Sequence, residues 1–335
     1  MSKQELTIIV KSIIASNTLG EQLEAAQQLS FFYKKLIKHS HSDANETLVS
    51  GGIALSSSGA ADCVDDYLRT VSFIKGIYKA ITKLLTDSTE KNINILYAGC
   101  GPFATLILPL LPLFDKGRIS AILIDINASS LESVQNFITL IDLEEYDLQL
   151  IESNAITYAI PEDFIVDLTI SETMDCALTR EPQIAISRNI IKQLSSNAIF
   201  IPQEIRIDLA YTFFDYEPYF RKTINEVKGY KELQPYPYKV FVDRLFTINK
   251  EHFGRENHNS KIESAFYTLP ATFENYPDVC LFTELTIFDD VELKTAESYI
   301  TNPYCLMSMY GIRDYSEIKL IYDFGEIPKW SYQLQ

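Results

Sequence analysis

Apolar residues recur at different spacings along the chain, and the changes of spacing mark out its parts. Leu23, Ala26, Leu29, Tyr33 and Leu36 fall three or four apart with charges between them, the stripe of an amphipathic helix. Residues 62–85 repeat that pattern, with Val64, Tyr67, Leu68, Val71, Ile74, Ile77 and Ile81 on one side. Residues 40–59 between them are rich in Ser, Gly and other small residues and predict a loop. From residue 91 short continuous apolar runs take over. Residues 92–98, 119–124, 148–152, 166–170 and 198–201 read as buried strands, and helical patterns over 131–141 and 182–194 separate several of them. This rhythm predicts an α/β domain with a parallel sheet covered on both faces. After residue 204 the pattern alternates by two, as in 205–210 and 281–288, with residues 215–238 as an insertion between strands. Most of the 20 Tyr and 19 Phe and the single Trp lie in this last part, which predicts an aromatic-rich antiparallel barrel or sandwich. The expected organisation is therefore a helical region 1–90, an α/β domain 91–203 and a β domain 204–335 for substrate or dimer contacts.

Composition narrows the classes. With 335 residues and 47% hydrophobic content the chain has ample material for a core, so wholesale disorder is excluded. A net charge of -16 argues against a nucleic-acid footprint or a patch for anionic membranes. The five cysteines show no CxxC, which points to reduced thiols in the cytoplasm and not to disulfides or zinc. Residues 1–17 lack the basic lead and cleavage site of a signal peptide, and the apolar run 106–114 is broken by Pro109 and Pro112 and too short for a bilayer. His39, His41, His252 and His258 lie in polar stretches without suitably spaced ligands, so no metal is expected.

Candidate chemistry gathers at the ends of the expected strands. Gly99-Cys100-Gly101 follows the first one; glycines there admit a ligand close to the backbone, or simply make a tight turn. The full GxGxxG fingerprint is not met, since Ala104 and Thr105 stand near its third glycine. Asp125 ends the second strand, placed to bond ribose hydroxyls or to cap the next helix. Glu172 leaves the fourth strand and Glu181 follows nine residues later. Two carboxylates on one loop make a trap for a cationic group, although Glu181 before Pro182 also suits a helix N-terminus. Cys100 and Cys176 fall beside this region, but no His accompanies them as a base.

The stretch VDLTISETMDCALTREPQIAISRNIIKQLSSNAIFIP, residues 166–202, resembles the double-glutamate segment of protein arginine methyltransferases: Ser-Glu-x-Met, Leu-x-x-Glu, Ala-x-x-Arg and a closing Pro. CVDDYLRTVSF, residues 63–73, resembles the family's helix carrying Asp-x-x-Arg-Thr, and the order of both segments around the glycine turn is the same. The resemblance covers about residues 60–205. It implies a Rossmann-like, class I methyltransferase domain using S-adenosylmethionine (SAM) and releasing S-adenosylhomocysteine, with N-terminal helices and a C-terminal antiparallel β-barrel or sandwich. Carried over residue by residue, Arg69 would grip the methionine carboxylate, a fit for a guanidinium fork, unless it is a surface arginine. Gly99, Cys100 and Gly101 would face the methionine part and Asp125 the ribose, with Ile126, Asn154 and Ala155 completing the cofactor side and Asn154 near the adenine. Glu172 and Glu181 would be catalytic, holding a nitrogen with its lone pair toward the methyl group, and Glu172 would adjoin the cofactor as well.

Departures surround the substrate. The family's aromatics ahead of the Arg helix are replaced by Ala54, Leu55 and Ser58; an acidic position is Tyr97, a third glycine is Phe103, and Ile156 stands where an acidic residue would help. The Thr-His-Trp loop is missing after Thr301-Asn302-Pro303. The sequence reading is N-methylation of a guanidine or amine in a small metabolite or peptide. The alternatives are an O-methyltransferase of similar fold, or a degenerate, non-catalytic methyltransferase that stabilises a partner enzyme. A homodimer is expected from the insertion, where Tyr216, Tyr219, Phe220 and Val227 would pack on a second subunit or close the chain's own pocket. Residues 40–59 are placed to act as a lid, and Trp330 is expected to cover the barrel.

Overall fold

The computed structural model describes residues 2–36, 45–87, 92–220, 236–253, 260–312 and 314–335. Helix α1 (Lys3–Ala15) is capped by the Ser2 hydroxyl, which accepts from the Glu5 N–H, and α2 (Leu19–Leu36) follows. Both bury their apolar stripes, Leu6, Val10 and Ile13 on α1 and Ala26, Leu29 and Tyr33 on α2.

The expected loop at 40–59 is largely built. Strands β1 (Thr47–Val49) and β2 (Gly52–Ala54) form a hairpin, and a short helix α3 (Ser57–Asp62) begins under the Ser56 hydroxyl. The Ser and Gly that suggested a loop are the turn residues Gly51 and Gly52 and the cap Ser56. Residues 40–44 lie outside the described residues. The helix expected over 62–85 starts late. A single 3-10 turn, Cys63–Asp65, ends at Asp66 (φ -78°, ψ 81°), and α4 (Tyr67–Asp87) begins there, so Arg69 stands in its first turn.

Next come β3 (Ile93–Ala98), β4 (Ile119–Asp125), α5 (Ala128–Leu140), β5 (Asp147–Glu152), β6 (Leu168–Ser171), α6 (Gln183–Ile191) and β7 (Ile199–Ile201). These strands form one parallel sheet in the order β5-β4-β3-β6-β7. The chain winds outward from β3 to β5 and then returns to the other side of β3. The crevice at such a reversal, at the carboxyl ends of the strands, is where open α/β sheets hold ligands.

The remaining elements are β8 (Glu204–Thr212), β9 (Val240–Asn249), α7 (Lys250–Phe253), β10 (Lys261–Thr268), β11 (Asp278–Phe288), β12 (Val291–Leu293), β13 (Tyr304–Ser308), β14 (Glu317–Asp323) and β15 (Lys329–Leu334). They make two antiparallel sheets, one ordered β12-β11-β8-β9 with β13 also on β11, the other β10-β14-β15. Among the described residues the strands do not close into a barrel, so of the two expected forms the closed one is set aside. Of the expected insertion, 221–235 lies outside the described residues, Val227 included. Phe220 is buried within its own chain, 5.5 Å from the Tyr67 ring and 5.2 Å from Tyr299, and not offered to a second subunit. The main apolar core runs from Leu6 through the parallel sheet and the two antiparallel sheets to Trp330.

Candidate functional site

A cavity of about 470 Å³ opens at the carboxyl ends of β3, β4 and β6. The cofactor and catalytic candidates taken from the sequence line it: Arg69, Gly99, Cys100, Gly101, Asp125, Ile126, Asn154, Ala155, Glu172 and Glu181. Its size suits a cofactor or small substrate, for which sites of roughly 300–1,000 Å³ are usual.

The turn after β3 needs its glycines. Gly99 and Gly101 have φ of 75° and 63°, and a side chain on Gly99 would strike the Thr173 methyl. The Asp125 carboxylate closes this turn, accepting from the Gly101 N–H at 2.8 Å and the Asn127 N–H at 2.9 Å. Burial is the main influence on Asp125 and pushes its carboxyl above the usual range. Asn127, and not Asp125, occupies the cap position of α5, and its side chain donates to the Leu55 carbonyl at 2.9 Å. Asn154 folds its side chain back onto the Ile156 N–H at 3.0 Å, while the Ala155 carbonyl is held by Asn189 at 2.9 Å.

Arg69 is not a surface arginine. It is buried and ion-paired with Glu172, and it also donates to the Cys63 carbonyl at 3.2 Å. Its neighbour Asp66 is buried too; one oxygen accepts from Ser298 Oγ at 2.6 Å and the Tyr299 N–H at 2.9 Å, while Oδ1 has no partner among the described residues. Burial raises the Asp66 carboxyl in spite of the nearby Arg69. Glu181 keeps part of its surface toward the cavity. Burial first, and the Asp175 charge second, push its carboxyl up to about 8. Glu172 therefore has a counter-ion, whereas Glu181 is held protonated near neutrality.

Of three comparisons with known proteins, one finds a likeness, and it is of fold. Neither a protein-family model nor a curated protein matches the sequence. Among solved structures, the Trypanosoma brucei PRMT1 enzyme–prozyme heterotetrameric complex with AdoHcy superposes with a TM-score of 0.52 at 12% identity, covering 82% of this chain and 92% of that one. Protein arginine methyltransferase 10 of Arabidopsis thaliana gives 0.49 at 12% identity, over 82% of this chain and 95% of that one. The chain has an arginine-methyltransferase-like fold. Its parallel sheet is arranged like the core of that fold, and its antiparallel sheets take the place of the C-terminal β domain.

The departures from the family pattern are absorbed by packing. Phe103 stacks on Tyr33 at 4.7 Å between centroids, in an aromatic cluster with Phe137. Tyr97 is buried, and burial raises its phenol so that it stays neutral. Neither closes the cavity, whose wall they share. Cys100 and Cys176 are poor nucleophiles: burial raises Cys100 well above its usual value and Cys176 to about 12.

Sequence reasoning missed several residues that shape the glutamate loop. Gln183, buried at the start of α6, accepts from the Thr173 N–H at 2.9 Å and Thr173 Oγ1 at 3.0 Å and donates to the Ser171 carbonyl at 3.2 Å. It ties the two ends of the loop together. The Ile53 N–H of β2 donates to the Arg180 carbonyl at 2.8 Å, so the hairpin sits on the loop's far end. No spacing in the sequence marks either residue. Asp66 did carry a signal, three positions before Arg69, but only the fold shows what it faces. Among the described residues no three His, Cys, Asp or Glu side chains converge as a metal site, and no helix is long and apolar enough to cross a membrane.

Proposed function

We propose that the chain is a SAM-dependent methyltransferase acting on a nitrogen of a guanidine or amine, in a small metabolite or a peptide. One observation carries the reading. Glycine turn, Asp125, Arg69 and the two glutamates, chosen for separate parts of one reaction, share the wall of a single cavity.

The site fits the cofactor by its donor set. Gly99 and Gly101 leave room beside the backbone, Asp125 stands at the end of β4 where a ribose is bonded, and Arg69 offers a cation to a carboxylate. Asn154 and Ala155 would border the adenine. The structural neighbour from Trypanosoma brucei is a complex with AdoHcy, which favours the same class of cofactor. When bound, SAM supplies a methyl group made electrophilic by the sulfonium.

The chain's own residues handle the acceptor. Glu181 and Asp66 are carboxyls that a cationic acceptor beside them would help to ionise, so that end of the cavity suits a protonated guanidine or amine and disfavours an anionic acceptor. Glu181, pushed up to about 8 by burial, would ionise once a cationic acceptor stands beside it, and the carboxylate so formed can take the proton that the acceptor nitrogen loses and hand it to solvent. Placement of the nitrogen does most of the remaining work.

A second reading has one observation in its favour. Arg69 already has Glu172 as its partner, as a degenerate, partner-stabilising methyltransferase would allow. Calorimetric titration of the purified chain with S-adenosylhomocysteine separates the two. Micromolar binding, followed by transfer of labelled methyl from SAM to one of a panel of amines, guanidines and peptides, is the expected outcome. Absence of binding in folded protein overturns the enzyme reading. Homodimerisation belongs to the same proposal and rests on the exposed Tyr216 and Tyr219; sedimentation of the full chain checks it. A cytoplasmic location is likewise proposed, from five cysteines that form no disulfide.

A further inference from the structure

The loop from Glu172 to Glu181 makes turns of its own but does not get its shape from its own sequence alone. Ala177, Leu178 and Arg180 have φ of 52°, 57° and 60°, and none of them is glycine. A side-chain-bearing residue stays in that left-handed region only where its surroundings over-determine it. Here the surroundings come from the C-terminal sheets. The Ala177 N–H donates to Thr283 Oγ1 of β11 at 3.1 Å, and the Arg180 N–H to the Pro328 carbonyl at 3.0 Å. The Ala177 carbonyl accepts from the Trp330 indole N–H at 2.9 Å, and the Leu178 carbonyl from the Tyr322 hydroxyl at 2.7 Å, both bonds buried.

The two side-chain donors are themselves a pair. Tyr322 and Trp330 stand directly opposite each other across β14 and β15, with ring centroids 4.8 Å apart. Phe246 backs both, stacked on Trp330 at 5.8 Å and 5.6 Å from Tyr322. Two donors fixed side by side on a hairpin thus meet two consecutive carbonyls. Burial raises the Tyr322 phenol, so it remains a donor. Trp330 is more than a cover for the β domain, the role expected for it from its position in the sequence.

We infer that Trp330 and Tyr322 are positioning residues: their N–H and O–H fix the Ala177 and Leu178 peptides in left-handed backbone and thereby hold Glu181 against the cavity. Their consequence for catalysis rests on the methyltransferase reading; their hold on the loop does not. The C-terminal hairpin would then serve the acceptor half of the site and leave the cofactor half alone, since neither residue lines the cavity near Gly99 or Asp125.

The test uses Trp330→Phe and Tyr322→Phe in the full chain, each keeping an aromatic ring and deleting one donor. Thr283→Val, milder still, removes the acceptor of the Ala177 N–H. Hydrogen–deuterium exchange of the peptide covering residues 172–182 is followed with and without S-adenosylhomocysteine, beside its affinity and the transfer kinetics. Exchange of this peptide is expected to rise selectively in each variant, with cofactor affinity within about twofold of wild type and kcat lowered about tenfold, the scale of one lost hydrogen bond. Exchange of 172–182 that is unchanged, or that rises only in step with the whole chain, overturns the proposal whatever the activity does. If the wild-type chain transfers methyl to no acceptor, only the methyltransferase reading fails, and the exchange result still decides the role of the hairpin.

Discussion

Arg69 and Glu172 form a buried ion pair, with side chains 10% and 4% exposed. The sequence places them 103 positions apart, one in the first turn of α4 and one just past β6. Taking either partner away leaves a charge without its counter-ion in a water-poor wall, which costs about 3–5 kcal/mol. Arg69→Ala should therefore lower stability by that amount in urea unfolding and abolish binding of S-adenosylhomocysteine. A fully stable Arg69→Ala protein would show that Glu172 is relieved by solvent and that the pair is not sealed.

Glu181 makes stability pH-dependent in a definite direction. Its carboxyl titrates at about 8 in the folded chain, against 4.5 for an ordinary glutamate. Between those values the folded chain keeps a proton that the unfolded chain has lost. The group's contribution is complete below about 4.5, declines as pH rises through that window and is flat above about 8. Glu181→Gln removes the slope, so its melting temperature should gain on wild type steadily from about pH 5 to about pH 8. Parallel curves for the two proteins would mean that Glu181 is solvated. The same variant, and Glu172→Gln, should lose turnover while S-adenosylhomocysteine still binds.

Gly99 carries a backbone conformation that other residues adopt at a cost of about 1–2 kcal/mol. A methyl there also meets the Thr173 side chain at the cavity wall. Gly99→Ala should weaken S-adenosylhomocysteine by roughly tenfold or more, each decade being about 1.4 kcal/mol. Calorimetry checks it, and unchanged affinity would place the cofactor away from this turn.

Gln183→Leu keeps the volume of a buried side chain and removes its polar group. Thr173 N–H, Thr173 Oγ1 and the Ser171 carbonyl then lose a partner. Each orphaned buried group costs about 1–3 kcal/mol. Thermal unfolding should show a clear loss of stability, and methyl transfer should fall more than cofactor affinity because the loop end that moves carries Glu181.

The main strands of the parallel sheet were legible because a strand buried on both faces must be apolar throughout, and such runs stand out locally at 93–98, 119–125 and 168–171. The glycine turn and the acids at strand ends were legible for a related reason: in a parallel sheet the next residue after a strand is at the ligand edge. Of the stretch 40–59 read as loop, residues 47–54 form a hairpin and 57–59 open a helix, because Ser and Gly mark caps and hairpin turns as readily as unstructured chain.

What local spacing could convey, therefore, was which residues arrive at the edge of the sheet. What those residues are once there depends on partners far along the chain. Trp330 holds Ala177 across 153 positions and Tyr322 holds Leu178 across 144, and neither pair leaves a periodic trace in the sequence. The charge states are decided the same way. Glu172 and Glu181 are the same residue type on one loop, yet one lies against Arg69 and the other is buried near Asp175. Ionisation follows the solvation and charge around a group, and only the packed chain supplies these.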